Sequence, residues 1–378
     1  MIYLDYSATT PILLDVLDSY NKASKDYIGN PNSLHELGVK SKELLNSALK
    51  QMCDLLNIDL DELIITSGAT ESNNMIFKGL LNKYGKDKKN IVVSKLEHPS
   101  IYIICDYLKT KGYTITYVDN DENGVVSFDD LKNKINKDTF LVSICAVNSE
   151  TGVRQPLKTL RQIMKKENPD VIFHSDITQA LGKVNVNLHD VDLASASAHK
   201  IYGPKGVGFV YKSKKIDLEP LIHGSSKIEG IRPGTPALPL IVAFSKALRI
   251  TLNNLDQKEH FVSKLNDKLV NRLSTYTKIK INKTNYSIPH ILNISLMDIK
   301  SETFVHAMAK DNVYISTNTA CSKGELSNAI MAIYNDKQRA STTLRISLSH
   351  ITTLDEINKF LEIFDKNYIA LSALKNND

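Results

Sequence analysis

The chain has 378 residues, of which 42% are apolar and 24% charged, with a net charge of +5. These values describe a globular chain long enough for two domains and a large core, without internal repeats or low-complexity tracts. The lysines are dispersed apart from a cluster at 83–89 that reads as a solvated turn, so no nucleic-acid surface is indicated.

Met1-Ile-Tyr-Leu-Asp5 offers neither a basic region nor an apolar stretch of signal length, and no run approaches a membrane span. A cytoplasmic location is expected. Short β-branched runs then alternate with helical patterns. Strands are expected at 63–66, 91–94, 114–118, 140–147, 171–176, 192–198 and 207–211, and helices at 71–83, 100–111 and 157–167. This alternation predicts an α/β domain with a mostly parallel sheet. Gly203-Pro204 and Gly206 lead straight into the last run, which predicts a hairpin-like return. After about Pro239 a long helical region runs to about residue 275. Strand-like runs follow at 288–296, 313–316 and 343–348, a mixed order that predicts a smaller α+β domain. The expected division is a large domain over 15–245 and a small one formed by 1–14 with 246–378.

Several segments carry chemistry. The run Asp192-Leu-Ala-Ser-Ala-Ser-Ala-His-Lys200 is a small-residue strand that ends in Ser197, His199 and a lysine. An amine held at a strand end beside hydroxyl and imidazole groups is suited to covalent attachment of a carbonyl cofactor. Upstream, Val171-Ile-Phe-His-Ser-Asp176-Ile-Thr-Gln179 is an apolar strand ending in a carboxylate. Pyridoxal phosphate needs both groups: a lysine for its aldehyde and an acid for its pyridinium nitrogen. Two parallel strands would place these ends on one edge of the sheet, where open α/β folds bind ligands.

Leu63-Ile-Ile-Thr-Ser67-Gly68-Ala69-Thr70-Glu71 reads as strand, tight turn and helix start, either a phosphate cradle or an ordinary hydroxyl cap. His98 sits between a strand and a helix, where it either caps the helix or stacks on a cofactor and moves protons. Of the four cysteines, Cys53, Cys105 and Cys145 lie in apolar patterns and read as small core residues. Cys321 lies in the polar run Ser316-Thr-Asn-Thr-Ala-Cys321-Ser-Lys-Gly324, which suits an exposed, reactive thiol or an incidental loop cysteine. No Cys-x-x-Cys pair is present, which argues against a zinc site or a disulfide framework and fits a reducing compartment. Arg345, inside the apolar strand Thr342-Thr-Leu-Arg-Ile-Ser347, needs an anionic partner, either a substrate carboxylate or an internal acid.

In joint order and spacing these segments resemble the NifS/IscS-type cysteine desulfurases of the class V aminotransferase group. The resemblance runs nearly end to end, through Tyr3-Leu-Asp-Tyr-Ser-Ala-Thr-Thr-Pro11, Gly29-Asn-Pro-Asn-Ser-Leu-His35, Thr66-Ser-Gly-Ala-Thr-Glu-Ser-Asn-Asn74, Glu97-His98, Val147-Asn-Ser-Glu-Thr-Gly-Val153, His174-Ser-Asp-Ile-Thr-Gln179, Ser197-Ala-His-Lys-Ile-Tyr-Gly-Pro-Lys-Gly206, Arg232-Pro-Gly-Thr235, Thr319-Ala-Cys-Ser322 and Leu344-Arg-Ile-Ser347. It implies a pyridoxal-phosphate fold-type I homodimer, with a mostly parallel seven-stranded sheet flanked by helices in the large domain and a smaller α+β domain carrying the cysteine loop.

By the same resemblance, Lys200 is the Schiff-base lysine, Asp176 holds the ring nitrogen protonated, and Gln179 bonds the phenolic oxygen. His98 stacks on the ring and assists proton transfer. Thr70, Ser197 and His199 hold the phosphate, Ala69 also contacts the cofactor, and Thr235 reaches in from a second subunit. Asn148 and Arg345 bind the substrate carboxylate. Cys321 takes sulfur from L-cysteine as a persulfide, leaving alanine, for an iron–sulfur scaffold protein or a tRNA-thiolating enzyme. The sequence departs from the family's glycine-rich stretch at Leu221-Ile-His-Gly-Ser-Ser-Lys-Ile-Glu-Gly230, and Pro233 replaces a serine. A lyase or aminotransferase of the same fold, such as one acting on selenocysteine, and a non-catalytic scaffold for a sulfur partner are the alternatives.

Overall fold

The computed structural model describes residues 1–224, 230–317 and 326–375. Its strands are β1 Ile2–Tyr3, β2 Leu63–Thr66, β3 Asn90–Ser94, β4 Thr114–Val118, β5 Thr139–Ser143, β6 Ile172–Asp176, β7 Leu193–Ser197, β8 Gly208–Lys212, β9 Ile279–Ile281, β10 Ile291–Leu296, β11 Val313–Tyr314 and β12 Thr343–Ser347.

Seven strands form one sheet in the order β2-β8-β7-β6-β5-β3-β4. The pairs β7–β6, β6–β5, β5–β3 and β3–β4 are parallel. Only β8 runs against its neighbours β7 and β2, the hairpin-like return expected from Gly203-Pro204. Alternate residues of each strand enter opposite cores. Val92, Val142, Phe173, Ala194 and Phe209 pack on one face. Ile91, Leu141, Ile172, Leu193 and Val210 pack on the other. A sheet covered on both faces reads as continuous apolar runs, which is why these strands were legible.

The second core joins β9, β10 and β12, an antiparallel sheet in the order β12-β10-β9, with the helices Leu255–Leu273, Ser301–Lys310 and Leu354–Lys375. Ile2 and Leu4 belong to it, because β1 pairs in parallel with β11.

Three expectations need adjustment. A cut at 245/246 falls inside the helix Leu238–Leu252, whose Phe244 and Leu248 pack in the large core. The long helical region breaks at Asn253 and Asn254, the latter at φ 53°. The run 140–147 leaves the sheet after Ser143 and turns through Asn148 to Gly152, a glycine at φ 72°. No helix among the described residues is long and apolar enough to cross a membrane.

Candidate active site

Since β6 and β7 run in parallel, their C-terminal ends open on one edge of the sheet. β6 delivers Asp176, which is 7% exposed. Its Oδ2 accepts from Asn73 Nδ2 at 3.1 Å and its Oδ1 from the Thr178 amide at 2.9 Å. No cationic side chain pairs with it among the described residues. β7 delivers Ser197, and one 3-10 turn later His199 and Lys200. The N-terminal segment crosses this edge. Lys200 Nζ donates to the carbonyls of Ser7 at 2.6 Å and Ala8 at 2.7 Å. His199 is fixed by its carbonyl, which accepts from both the amide and the hydroxyl of Thr10, and by its Nδ1 contact with Thr9 Oγ1. Burial, with Lys200 nearby, lowers the His199 pKa to about 4.

β2 ends in a turn through Gly68, at φ 149°, and enters the helix Ala69–Gly79 with no side-chain cap. The first-turn amides of Ala69, Thr70 and Glu71 therefore lack intrahelical acceptors and point at the site. Gly208 admits this turn against β8, since a Cβ there would meet the Gly68 Cα at 2.7 Å.

His98 is both cap and wall. Its Nδ1 accepts from the Ser100 amide at 3.1 Å, which leaves the neutral ring's proton on Nε2. Burial lowers its pKa, opposed by Asp176 and reinforced by Lys200. Beneath it, Glu97 Oε1 accepts from the Cys145 amide at 2.6 Å and from Ser94 Oγ at 2.9 Å, while the buried Oε2 has no partner among the described residues. Burial raises the Glu97 pKa to about 8.

Arg345, in β12, is 2% exposed. Its guanidinium donates to Asp5 Oδ1 at 2.9 Å and to the Ser149 carbonyl at 3.0 Å, and its buried Nε has no partner among the described residues. The chain on either side of the Cys321 segment is tied to the same place. The Ser316 and Arg345 backbones exchange hydrogen bonds at 2.7 and 3.2 Å, and Ser327 Oγ donates to Glu150 Oε2.

These groups enclose a cavity of about 450 Å³, walled among others by Ala69, Thr70, His98, Asp176, Gln179, Ser197, His199, Lys200 and Arg345. Nine of the expected site residues thus converge. Asn148 does not reach the wall. Its Oδ1 accepts from Glu150 N, Thr151 N and Thr151 Oγ1, and its Nδ2 donates to the Leu96 carbonyl. It instead builds the turn that presents Ser149 to Arg345. Thr235 is exposed and off this wall. Cys321 lies outside the described residues, as does 225–229 of the departing stretch.

The aminotransferase class-V family model matches residues 2–360. A NifS/IscS-type homologue from Lactobacillus delbrueckii subsp. bulgaricus is 36% identical, with 99% of each chain covered. The cysteine desulfurase IscS of Dictyoglomus turgidum is 34% identical over 97% of this chain and 94% of its own. A solved NifS-like protein superposes with a TM-score of 0.92 at 34% identity, covering 98% of this chain and 99% of the other. This chain belongs to the NifS/IscS cysteine desulfurases.

The desulfurases of the class V aminotransferase family depend on pyridoxal phosphate. The walls of this desulfurase fit that group: an uncapped helix start for a phosphate, a buried carboxylate that no described cation pairs with for a ring N–H, and a lysine amine on the same cavity wall. Asn73, the Ser7 and Ala8 carbonyls and Glu97 were not singled out in the sequence, although each lies in a quoted motif. A backbone carbonyl has no sequence signature. Cys145, read as a core thiol, is buried and also borders the cavity, and burial raises its pKa.

Proposed function

We propose that the desulfurase takes sulfur from L-cysteine at this cavity and carries it on Cys321. Bound pyridoxal phosphate supplies a protonated ring that delocalises the electron pair left when the substrate's α-proton departs. Asp176 would keep the ring nitrogen protonated, and Gln179 would bond the phenolic oxygen. Thr70, Ser197, His199 and the amides of the Ala69–Gly79 helix hold the phosphate. Lys200 anchors the cofactor through Nζ. The Ser7 and Ala8 carbonyls would hold the lysine amine whenever it is not attached to the cofactor. His98 would stack on the ring and could move a proton through Nε2. Arg345 binds the substrate carboxylate with its spare Nε. The Cys321 thiolate attacks the substrate sulfur. The Cβ–S bond breaks with its electron pair left on the carbon fragment, an S–S bond forms, and protonation at Cβ and Cα releases alanine. The persulfide sulfur then passes to an acceptor, an iron–sulfur scaffold protein or a tRNA-thiolating enzyme, in a cytoplasmic setting.

The enzyme acts as a homodimer in which Thr235 completes the phosphate site of the partner subunit. Its exposure away from its own cavity supports this, as do the exposed side chains of Leu14, Ile28 and Leu34.

One observation carries the reading: the Lys200 amine, the Asp176 carboxylate and the unpaired Arg345 Nε share one cavity. The test is alanine and sulfide release from L-cysteine under reducing conditions, with wild type beside Cys321→Ala. Equal amounts of both products from wild type and neither from the variant are expected. Full activity of Cys321→Ala overturns the nucleophile, and an inactive, cofactor-loaded wild type overturns the substrate.

A further inference from the structure

Lys183 is a buried lysine with no carboxylate partner among the described residues. It follows Gln179 by one turn, on a helical turn ended by Gly182 at φ 70°. Gly182 packs on the helix Leu238–Leu252, where a Cβ would lie 2.3 Å from Thr251 Cγ2. The chain therefore doubles back and sends the Lys183 side chain inward. Among the described residues its side chain bonds only Gln179, Nζ donating to Oε1 at 2.5 Å. Gln179 Nε2 donates at 2.9 Å to the Ser7 carbonyl, the same oxygen that receives Lys200 Nζ at 2.6 Å. A continuous hydrogen-bonded line thus joins Lys183 to Lys200.

We propose that Lys183 is a positioning residue that locks the Gln179 carboxamide with its carbonyl turned away from the cofactor and its N–H₂ turned toward it. An amide nitrogen carries two hydrogens, and Ser7 takes one. The other is left for the cavity that Gln179 lines. Without Lys183, the buried Oε1 loses its donor and the carboxamide is free to rotate toward other partners. The groups around Lys183 are all cationic or imidazole: Lys200 and Arg345 act on it, and it acts on His290. Burial first, then those two cations, push its amine far below the ordinary value, so the lock needs no counter-ion.

The inference rests on the reading that Gln179 donates to the cofactor's phenolic oxygen. Such a donor favours the ionised oxygen, so weakening it raises the pH at which the bound cofactor's visible band titrates. The test is that titration, made on cofactor-loaded wild type, Lys183→Met, Gln179→Met and the double variant. Lys183→Met is expected to move the midpoint up by about one pH unit, the size of one weakened hydrogen bond to a charged group. The double variant is expected to match Gln179→Met alone, because Lys183 acts through Gln179. A wild-type midpoint in Lys183→Met, or additive shifts in the double variant, overturns the proposal. A wild-type midpoint in Gln179→Met overturns the underlying assignment of Gln179 and is read from that variant alone. Should Lys183→Met fail to fold, Lys183→Gln keeps a donor and must keep the wild-type midpoint. A shift there equal to that of Gln179→Met counts against the lock.

Discussion

Asn73 Nδ2 donates to Asp176 Oδ2 at 3.1 Å, so the carboxylate that ends β6 is set by a residue of the helix that begins at the phosphate cradle. The Thr178 amide holds the other oxygen at 2.9 Å. This makes the tilt of Asp176 a property of two elements at once. Asp176→Asn removes the charge that would hold a ring N–H, and a buried pair broken on one side loses roughly 3 kcal/mol, about a hundredfold. Asn73→Ala removes one hydrogen bond and is expected to cost about 1 kcal/mol, roughly fivefold. Cofactor titration of the apo-protein followed by tyrosine fluorescence reads both. Equal affinity in wild type and Asp176→Asn would be incompatible with the assigned role.

Lys200→Ala is expected to fold and still bind the cofactor through its phosphate and ring contacts, but to lose the visible band of the lysine-bound form and to release the cofactor on gel filtration. Cys321→Ala is expected to keep that band at wild-type intensity while forming no persulfide. Lys200 donates to the Ser7 and Ala8 carbonyls. Its loss therefore also frees the N-terminal segment, which a modest fall in thermal stability would report. A Lys200→Ala protein with the wild-type band would place the attachment elsewhere.

The large domain was legible because its sheet is buried on both faces, and every expected strand from 63–66 to 207–211 matches an observed one to within a few residues. Strand ends were legible for the same reason: Asp176 and Lys200 follow apolar runs abruptly. What failed was local. The turn at Asn148 had no sequence signal of its own: an Asn side chain at the start of a turn competes for backbone amides, and here it takes them. β9 is three residues long, with Lys280 exposed between two isoleucines, too short to signal a strand. The cut at 245/246 failed because Phe244 and Leu248 continue one apolar stripe across it.

Arg345→Lys tests the carboxylate contact. Lysine keeps a positive charge near Asp5 but loses Nε, the guanidinium donor that has no partner among the described residues. A point charge cannot replace a planar fork at a bidentate site. The expected result is a KM for L-cysteine raised about tenfold to a hundredfold, with kcat and the cofactor band altered much less. An unchanged KM would assign Arg345 to the Asp5 and Ser149 contacts alone.

Stability should fall on both sides of neutrality, for opposite reasons. Burial lowers His174 to about 4 and His290 to about 3. In the unfolded chain both take up protons near pH 6.5, so the unfolded state binds more protons between about 6.5 and 4 and stability drops as pH falls through that window. Each contributes up to a few kcal/mol, on the scale of about 1.4 kcal/mol per unit. Glu97 works in reverse. Its folded pKa of about 8 exceeds the unfolded value, so the native state binds the extra proton above about pH 4.5 and loses stability as pH rises toward 8. Glu97→Gln, which keeps an oxygen for the Cys145 amide, is expected to raise stability at pH 8 by about 1–3 kcal/mol and to do little at pH 4. Urea titrations at the two pH values decide it; a variant destabilised equally at both would mean that the carboxyl matters for its packing and hydrogen bonds and that its ionisation costs nothing at pH 8.

Ser327 anchors the chain just after the cysteine segment in two ways. Its hydroxyl donates to Glu150 and accepts the Ile330 amide at 3.1 Å as the cap of the helix Asn328–Tyr334. Glu150 sits beside Ser149, whose carbonyl receives Arg345, and Arg345 in turn pairs with the backbone of Ser316 on the other side of the segment. Arg345 and the residues flanking the 318–325 segment on both sides are therefore linked as one bonded unit. Ser327→Ala removes the cap and the Glu150 contact, at a cost of about 1 kcal/mol for the cap alone. Sulfur transfer requires the thiolate to meet the substrate sulfur within a few tenths of an ångström, so a loosened anchor is expected to slow persulfide formation about tenfold while cofactor affinity and its visible band stay at wild type. Ser327→Thr retains the hydroxyl and is expected to restore the rate. Single-turnover alanine formation is the readout: a Ser327→Ala rate equal to wild type, or a Ser327→Thr rate as slow as Ser327→Ala, would show that the hydroxyl does not position the thiol.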